Sequence, residues 1–179
     1  MFGKSQGMLL QKLGEVKPNP VGLEYGVAKP TSDGLNILVA SCFTLFHQIK
    51  KHHWIVEGPF FRDLHMMLDE LAIHLQEYVD QLAERITLLG AYPISTPRKQ
   101  QEMAVFPVEE EGVFQLSTML SNDYHAYKSI IIRYRDIIRH VSHVGDFATE
   151  HMLREQLTVL ENDVHQLEHF IGKHETHVT

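Results

Sequence analysis

The run His53 to Ile86, HWIVEGPFFRDLHMMLDELAIHLQEYVDQLAERI, decides how the rest of the chain is read. Gly58-Pro59 ends whatever precedes it. The spacing after it predicts a helix from about Phe60 to Leu89, stopped by Gly90. At about 100° per residue with His65 as origin, Leu64, Met67, Leu68, Leu71, Leu75, Tyr78, Val79, Leu82, Ile86 and Leu89 fall between about 200° and 320°. That stripe faces the core of the helix's own bundle. His65 at zero, Asp69 at about 40°, Asp80 at about 60° and Glu84 at about 100° form a second stripe, centred roughly 150° from the first.

These four are metal-ligand types in two i, i+4 pairs, HxxxD and DxxxE. One histidine with carboxylates suits iron, manganese or zinc. The solvated face of any amphipathic helix gives the same spacing, so the pairs alone leave both readings open. Asp69 and Asp80 lie eleven residues apart, about 16 Å along the axis. The ligands of one metal lie within a few ångströms of each other, so the two pairs cannot share an ion within one chain. Two copies packed antiparallel about a twofold axis near Ile73 and Gln76 would bring His65 and Asp69 of one chain to Asp80 and Glu84 of the other. A twofold repeats every contact and gives two equivalent sites. A di-iron site inside the bundle would use Glu-x-x-His pairs, and the sequence has none. Glu70 to His74 and Glu161 to His165 are each one residue too wide.

Outward from this helix the chain reads as helices and links. Asp33 is a candidate N-cap for a first helix in which Leu35, Leu38, Val39, Cys42, Phe46 and Ile49 recur at three- and four-residue steps. AYPISTPRKQQEMAVFP, residues 91–107, is a long connection with room for one short helix. A third helix is expected from Gly112 or Phe114 to His143, and a fourth from Asp146 to about Phe170. Period-two strand signals are absent. The expectation is an all-α four-helix bundle whose middle connection crosses its length. It spans residues 33–171, with a tail at 1–32 and a histidine-containing tail at 172–179.

Composition agrees. A chain of 179 residues, 44% hydrophobic and 22% charged, fits one domain with a core. Asp and Glu outnumber Lys and Arg by 23 to 16, a net charge of −7, which argues against a surface-wide attraction to nucleic acid or anionic lipid. The single cysteine, Cys42, excludes an intrachain disulfide and suits a cytoplasmic location. No apolar run approaches the roughly 20 residues of a membrane span. Met8, Leu9 and Leu10 are too short a run for a signal peptide.

The run 53–86 resembles the hallmark of the Dps family of mini-ferritins. The residues that carry it are His53-Trp54, Gly58 and Phe61, Leu64-His65-Met66-Met67-Leu68-Asp69, and Asp80-Gln81-Leu82-Ala83-Glu84-Arg85, followed by LGAYPISTP at 89–97. The likeness is continuous over 33–97 and rests on helix lengths and pattern from there to about 171. It implies a ferritin-like four-helix bundle with a short helix in the crossover, assembled as a homododecamer. It further implies an intersubunit ferroxidase site with His53, His65 and Asp69 from one chain and Asp80 and Glu84 from its partner. Glu84 would bridge or cap the better-bound iron, and Trp54 would take up oxidising equivalents. The implied activity is oxidation of Fe(II), preferably by hydrogen peroxide, with Fe(III) mineral stored inside the shell against oxidative stress. Zinc is a second candidate at the same site. The alternative is a DNA-protecting, nucleoid-associated shell with little or no ferroxidase activity.

Other residues carry weaker signals. Asp146 and Glu150, at the start of the fourth helix, either line a threefold pore or serve the helix N-terminus. His165 and His169, with Glu161 one turn earlier and His174 and His177 beyond, form either an accessory metal site or a C-terminal helix cap. Lys4, Lys12, Lys17 and Lys29 against Glu15 and Glu24 make the N-terminal tail only weakly basic. Twelve subunits at −7 each carry about −84, so DNA binding is expected to be weak or absent.

Overall fold

The computed structural model describes residues 7–175, with side chains up to Gly172. It holds five helices and, among the described residues, no strand: α1 Tyr25–Ile55, α2 Phe61–Leu88, α3 Pro97–Met103, α4 Leu116–His143 and α5 Phe147–Glu175. Helix α1 packs on α2 and α4, α4 on α5, and α2 on α5, while the short α3 lies on α1. No helix of the described residues is long and apolar enough to cross a membrane.

Three polar tethers trace the crossover along α1. Asn36 accepts from the Ile94 amide at 2.8 Å and donates to the Tyr92 carbonyl at 3.2 Å. Ser41 Oγ accepts from the Val105 amide at 3.2 Å. Lys51 and His52 both reach Glu109. Contacts at positions 36, 41 and 52 of α1 therefore meet 94, 105 and 109 in order. The connection climbs α1 for about 24 Å before α4 begins.

Its upper tether is a buried cluster of charges. His52, fully buried, lies 2.7 Å from Asp123 and 3.0 Å from Glu109. Gln48 and Asn122 donate to Asp123 and Glu109 at 2.8 and 2.6 Å. Burial alone would push the His52 imidazole down, but the two carboxylates outweigh it and hold it above the ordinary histidine value. Burial also raises the Asp123 carboxyl. With His52 protonated, Lys51 and His52 face Glu109 and Asp123, two charges of each sign.

The inner face of α5 is a heptad of Leu153, Gln156, Leu160, Asp163 and Leu167, all buried, with two polar members. Gln156 accepts from the Tyr134 hydroxyl at 2.9 Å and donates to Gln81 at 2.7 Å. Asp163 meets His74 at 3.1 Å and Tyr127 at 3.4 Å. Burial raises its carboxyl to about 6, with His74 and Tyr127 pulling it back. Cys42 lies in the same interior, where burial pushes its thiol up to about 12 and keeps it an unreactive packing group.

Helix α4 begins at Leu116, just after the expected Gly112 or Phe114, and two other boundaries differ more from the sequence expectation. Helix α1 begins at Tyr25, two turns before Asp33, and contains Pro30. The proline removes the helical donor to the Gly26 carbonyl, but Gly26 is exposed, and buried Ala28, Thr31 and Ser32 hold the turn against the bundle. Asp33 is not a cap; it pairs with Lys29 one turn earlier. Helix α5 runs through Gly172 to Glu175. One helical glycine costs about 1 kcal/mol, too little to end it. The His174 side chain and all of His177 lie outside the described residues, as do residues 1–6 of the expected tail.

The rest of that tail is a strap draped on the α2 exit. The Lys17 amide and Gln11 Nε2 both donate to the Gly90 carbonyl at 2.8 Å. Gly90 has φ +81°, and a Cβ there would stand 2.1 Å from the Lys17 carbonyl oxygen. Both the left-handed backbone and the close approach demand glycine.

Gly90→Ala is expected to lower stability by about 1–2 kcal/mol from its backbone alone and to free the strap, seen as faster trypsin cleavage at Lys12, the strap lysine not followed by proline. Unchanged cleavage would show that the strap is held elsewhere. Asp163 binds its proton more tightly folded than unfolded, so its stabilising contribution is complete below about pH 4 and is lost as pH rises through about 6. Thermal melts of the parent and Asp163→Asn should diverge in the variant's favour by on the order of 2–3 kcal/mol between those limits, then run level. A flat difference would mean that the carboxyl titrates normally.

Candidate metal centre

Helices α1 and α2 form a hairpin, and two histidines close it. The His53 Nδ1–H donates to the His65 carbonyl at 2.8 Å, and the His65 Nδ1–H donates to the His53 carbonyl at 2.8 Å. A carbonyl can only accept, so both imidazoles are fixed with the proton on Nδ1 and the Nε2 lone pair free. This is the tautomer a metal ligand needs, oriented by a backbone partner. The rings stack at 3.7 Å between centroids and 20° between planes, and Phe61 stacks on His65 at 5.1 Å. Their neighbour Asp69, one turn along α2 from His65, places Oδ1 4.0 Å from His53 Nε2.

Lys50, one turn before His53 on α1, donates to the same Asp69 oxygen at 2.7 Å. That hydrogen bond holds the Asp69 carboxyl below its ordinary value, and the Lys50 charge adds to the effect. The ammonium stands where a cation would neutralise Asp69. The sequence reading missed Lys50, although its i, i+3 spacing to His53 puts both on one helical face.

Asp80 and Glu84 are not brought to this cluster. They lie exposed on the same outer face of α2, farther along the helix. Among the described residues no group of three or more His, Cys, Asp or Glu is gathered closely enough to hold a metal within the chain. Between the two pairs the face carries Ile73, 50% exposed, and exposed Gln76. Trp54, beside His53, is 70% exposed.

Asp146 has a structural task in this subunit. Its carboxylate accepts from the Thr149 amide at 3.2 Å and hydroxyl at 2.6 Å, capping α5, and from Arg85 at 2.6 Å. It is buried, so the pore-lining expectation gives way to a cap and an ion pair that pin the α2 exit to the start of α5. Glu150 pairs with Arg154 at 2.8 Å.

Known proteins agree with this architecture. A model of the ferritin-like domain matches residues 32–176. The DNA protection during starvation protein of Halobacterium salinarum is 44% identical over 144 residues, covering 80% of this chain and 79% of that protein. A nutrient stress-induced DNA-binding protein of Synechococcus is 34% identical over 164 residues, with 92% and 93% covered. Among solved structures, an archaeal Dps homologue from Halobacterium salinarum superposes with a TM-score of 0.90 at 41% identity, covering 93% of each chain. DpsC from Streptomyces coelicolor superposes with a TM-score of 0.85 at 29% identity, covering 93% of this chain and 95% of its own. A ferritin-like domain across most of its length and this likeness to Dps proteins in sequence and structure establish that the chain belongs to the Dps family of ferritin-like proteins.

Proposed function

We propose that this protein is an iron-oxidising and iron-storing shell whose catalytic sites are completed between subunits. The observation that carries the reading is the split of one ligand set along one exposed helix face. His53 and His65 offer two free Nε2 lone pairs beside Asp69, while Asp80 and Glu84 wait about 16 Å away on α2. An antiparallel twofold through the Ile73 region joins the halves, and twelve such chains close a dodecameric shell.

Fe(II) is the substrate and cargo. Two neutral imidazoles and three carboxylates supply three negative charges, which favour the more highly charged ion after electron loss. Lys50 must leave Asp69 as the metal cation arrives. Two Fe(II) ions give up two electrons to one hydrogen peroxide; with two protons this yields two waters and two Fe(III), and no hydroxyl radical escapes. Trp54 would accept a stray oxidising equivalent. The ferric product then hydrolyses and collects as mineral within the shell. Zinc, with the same ligand preferences and no redox chemistry, would occupy the site silently.

The Halobacterium and Synechococcus relatives are named for DNA protection and DNA binding. A shell that guards DNA by contact is therefore the second reading. In this chain two of the N-terminal lysines are engaged: Lys17 of the strap donates to the Leu10 carbonyl, and Lys29 of α1 pairs with Asp33. With a net charge of −7 per subunit, the expected contact with DNA is weak and salt-sensitive.

Anaerobic loading of metal-stripped protein with Fe(II), followed by peroxide and near-ultraviolet absorbance, tests the enzyme. Asp80→Ala with Glu84→Ala should slow oxidation by roughly 100-fold or more while the His53 half-site stays intact. Oxidation unaffected by both substitutions would sink the intersubunit site. Replacing Lys50 by Met removes the competing cation. It should tighten zinc binding, read by calorimetry, by about 2- to 5-fold, the worth of a part-exposed ion pair. Weaker binding in Lys50→Met would show instead that the lysine orients Asp69 for the metal.

A further inference from the structure

Helix α5 ends in a second pair of histidines that the intersubunit site does not use. His165 and His169 stand one turn apart on its exposed side. Their Nε2 atoms converge to 3.1 Å, with ring centroids 4.3 Å apart and planes at 73°. Neither ring has another hydrogen-bond partner among the described residues. Nearby carboxylates are engaged: Glu161 by Arg135 at 2.7 Å and Glu168 by the Tyr124 hydroxyl at 3.2 Å.

Two imidazole nitrogens aimed at one point suit a shared cation as well as a shared proton. Metal–nitrogen bonds of about 2.0–2.1 Å put tetrahedral ligands about 3.3 Å apart. In a square-planar site the same bonds put neighbouring ligands about 2.9 Å apart. The observed separation lies between these values, so either geometry needs an adjustment of only a few tenths of an ångström. The pair brings imidazole without carboxylate, a donor set that favours the later divalent ions and, in the ordinary affinity order, copper most.

We propose that His165 and His169 form a two-imidazole chelate for a late divalent transition metal, copper(II) foremost, separate from the mixed histidine and carboxylate site at α2. Water completes the coordination, and the ion sits at the surface, held by one helix of one subunit.

The test uses the assembled, metal-stripped protein carrying His53→Gln and His65→Gln, so that the α2 site keeps no imidazole to compete, with size-exclusion chromatography confirming assembly. Copper(II) is titrated and followed by electron paramagnetic resonance, with pulsed measurement of the coordinated nitrogens. The expected result is one tightly held copper per subunit with two imidazole nitrogens. In His165→Gln, and separately in His169→Gln, affinity should fall at least about ten-fold and the signature drop to one nitrogen. Both side chains are exposed, and circular dichroism checks that α5 remains helical. Retention of stoichiometry and spectrum in both variants would overturn the proposal by placing the copper at other histidines. The parent's own spectrum is an independent arm: no bound copper, or copper with a single imidazole, also overturns it.

Discussion

Two imidazoles that each hydrogen-bond the other's backbone set the geometry at the α1–α2 turn. His53 and His65 lie on consecutive antiparallel helices, and their reciprocal bonds fix the register of one helix against the other. The same bonds consume both Nδ1 protons, so orientation and metal competence come from one arrangement. Asp69 then needs only to follow His65 by one turn. The ion pair with Lys50 satisfies that carboxylate in the metal-free chain, at a part-exposed position where such a pair is worth little and is readily exchanged.

The rest of the bundle presents this hairpin through polar ties inside an apolar frame. Leu35, Leu38, Leu45 and Ile49 of α1 and Leu64, Leu68, Leu75 and Leu82 of α2 supply non-directional burial. Direction comes from the charge cluster around His52, which anchors the crossover beside the site, and from Gln156 and Asp163, which set α5 against α2 and α4. Arg85, at the end of the ligand helix, closes the far end through Asp146. Each polar residue in these ties has a partner, as buried polar groups require.

Helix α2 was legible because two independent patterns coincide on it: a stripe of leucines spaced by 3.6 residues and glycines at both ends. Its ligand stripe could be read as split between subunits because distance along a helix follows from residue count alone. The start of α1 was not legible. A proline ordinarily marks a boundary, and only the burial of Ala28, Thr31 and Ser32, a tertiary fact, carries the helix across Pro30. Asp146 could be placed at a helix start, but its choice of Arg85 and Thr149 over a pore depends on a contact across 61 residues. Which of the adjacent His52 and His53 faces the core is decided by carboxylates from the crossover and α4, which helical periodicity in α1 does not reveal.

The latch between Lys17 and Gly90 also orders events during synthesis. The strap emerges before α2 but can dock only after the α2 exit has been made, 73 residues later. At the usual pace of translation that is a wait of about 4–15 s. Met8, Leu9 and Leu10 remain exposed even when the strap is docked, so the undocked segment forfeits little apolar burial while it waits. The strap thus docks later than the helix it covers, held by one backbone and one side-chain hydrogen bond to a glycine that no other residue can replace without moving it.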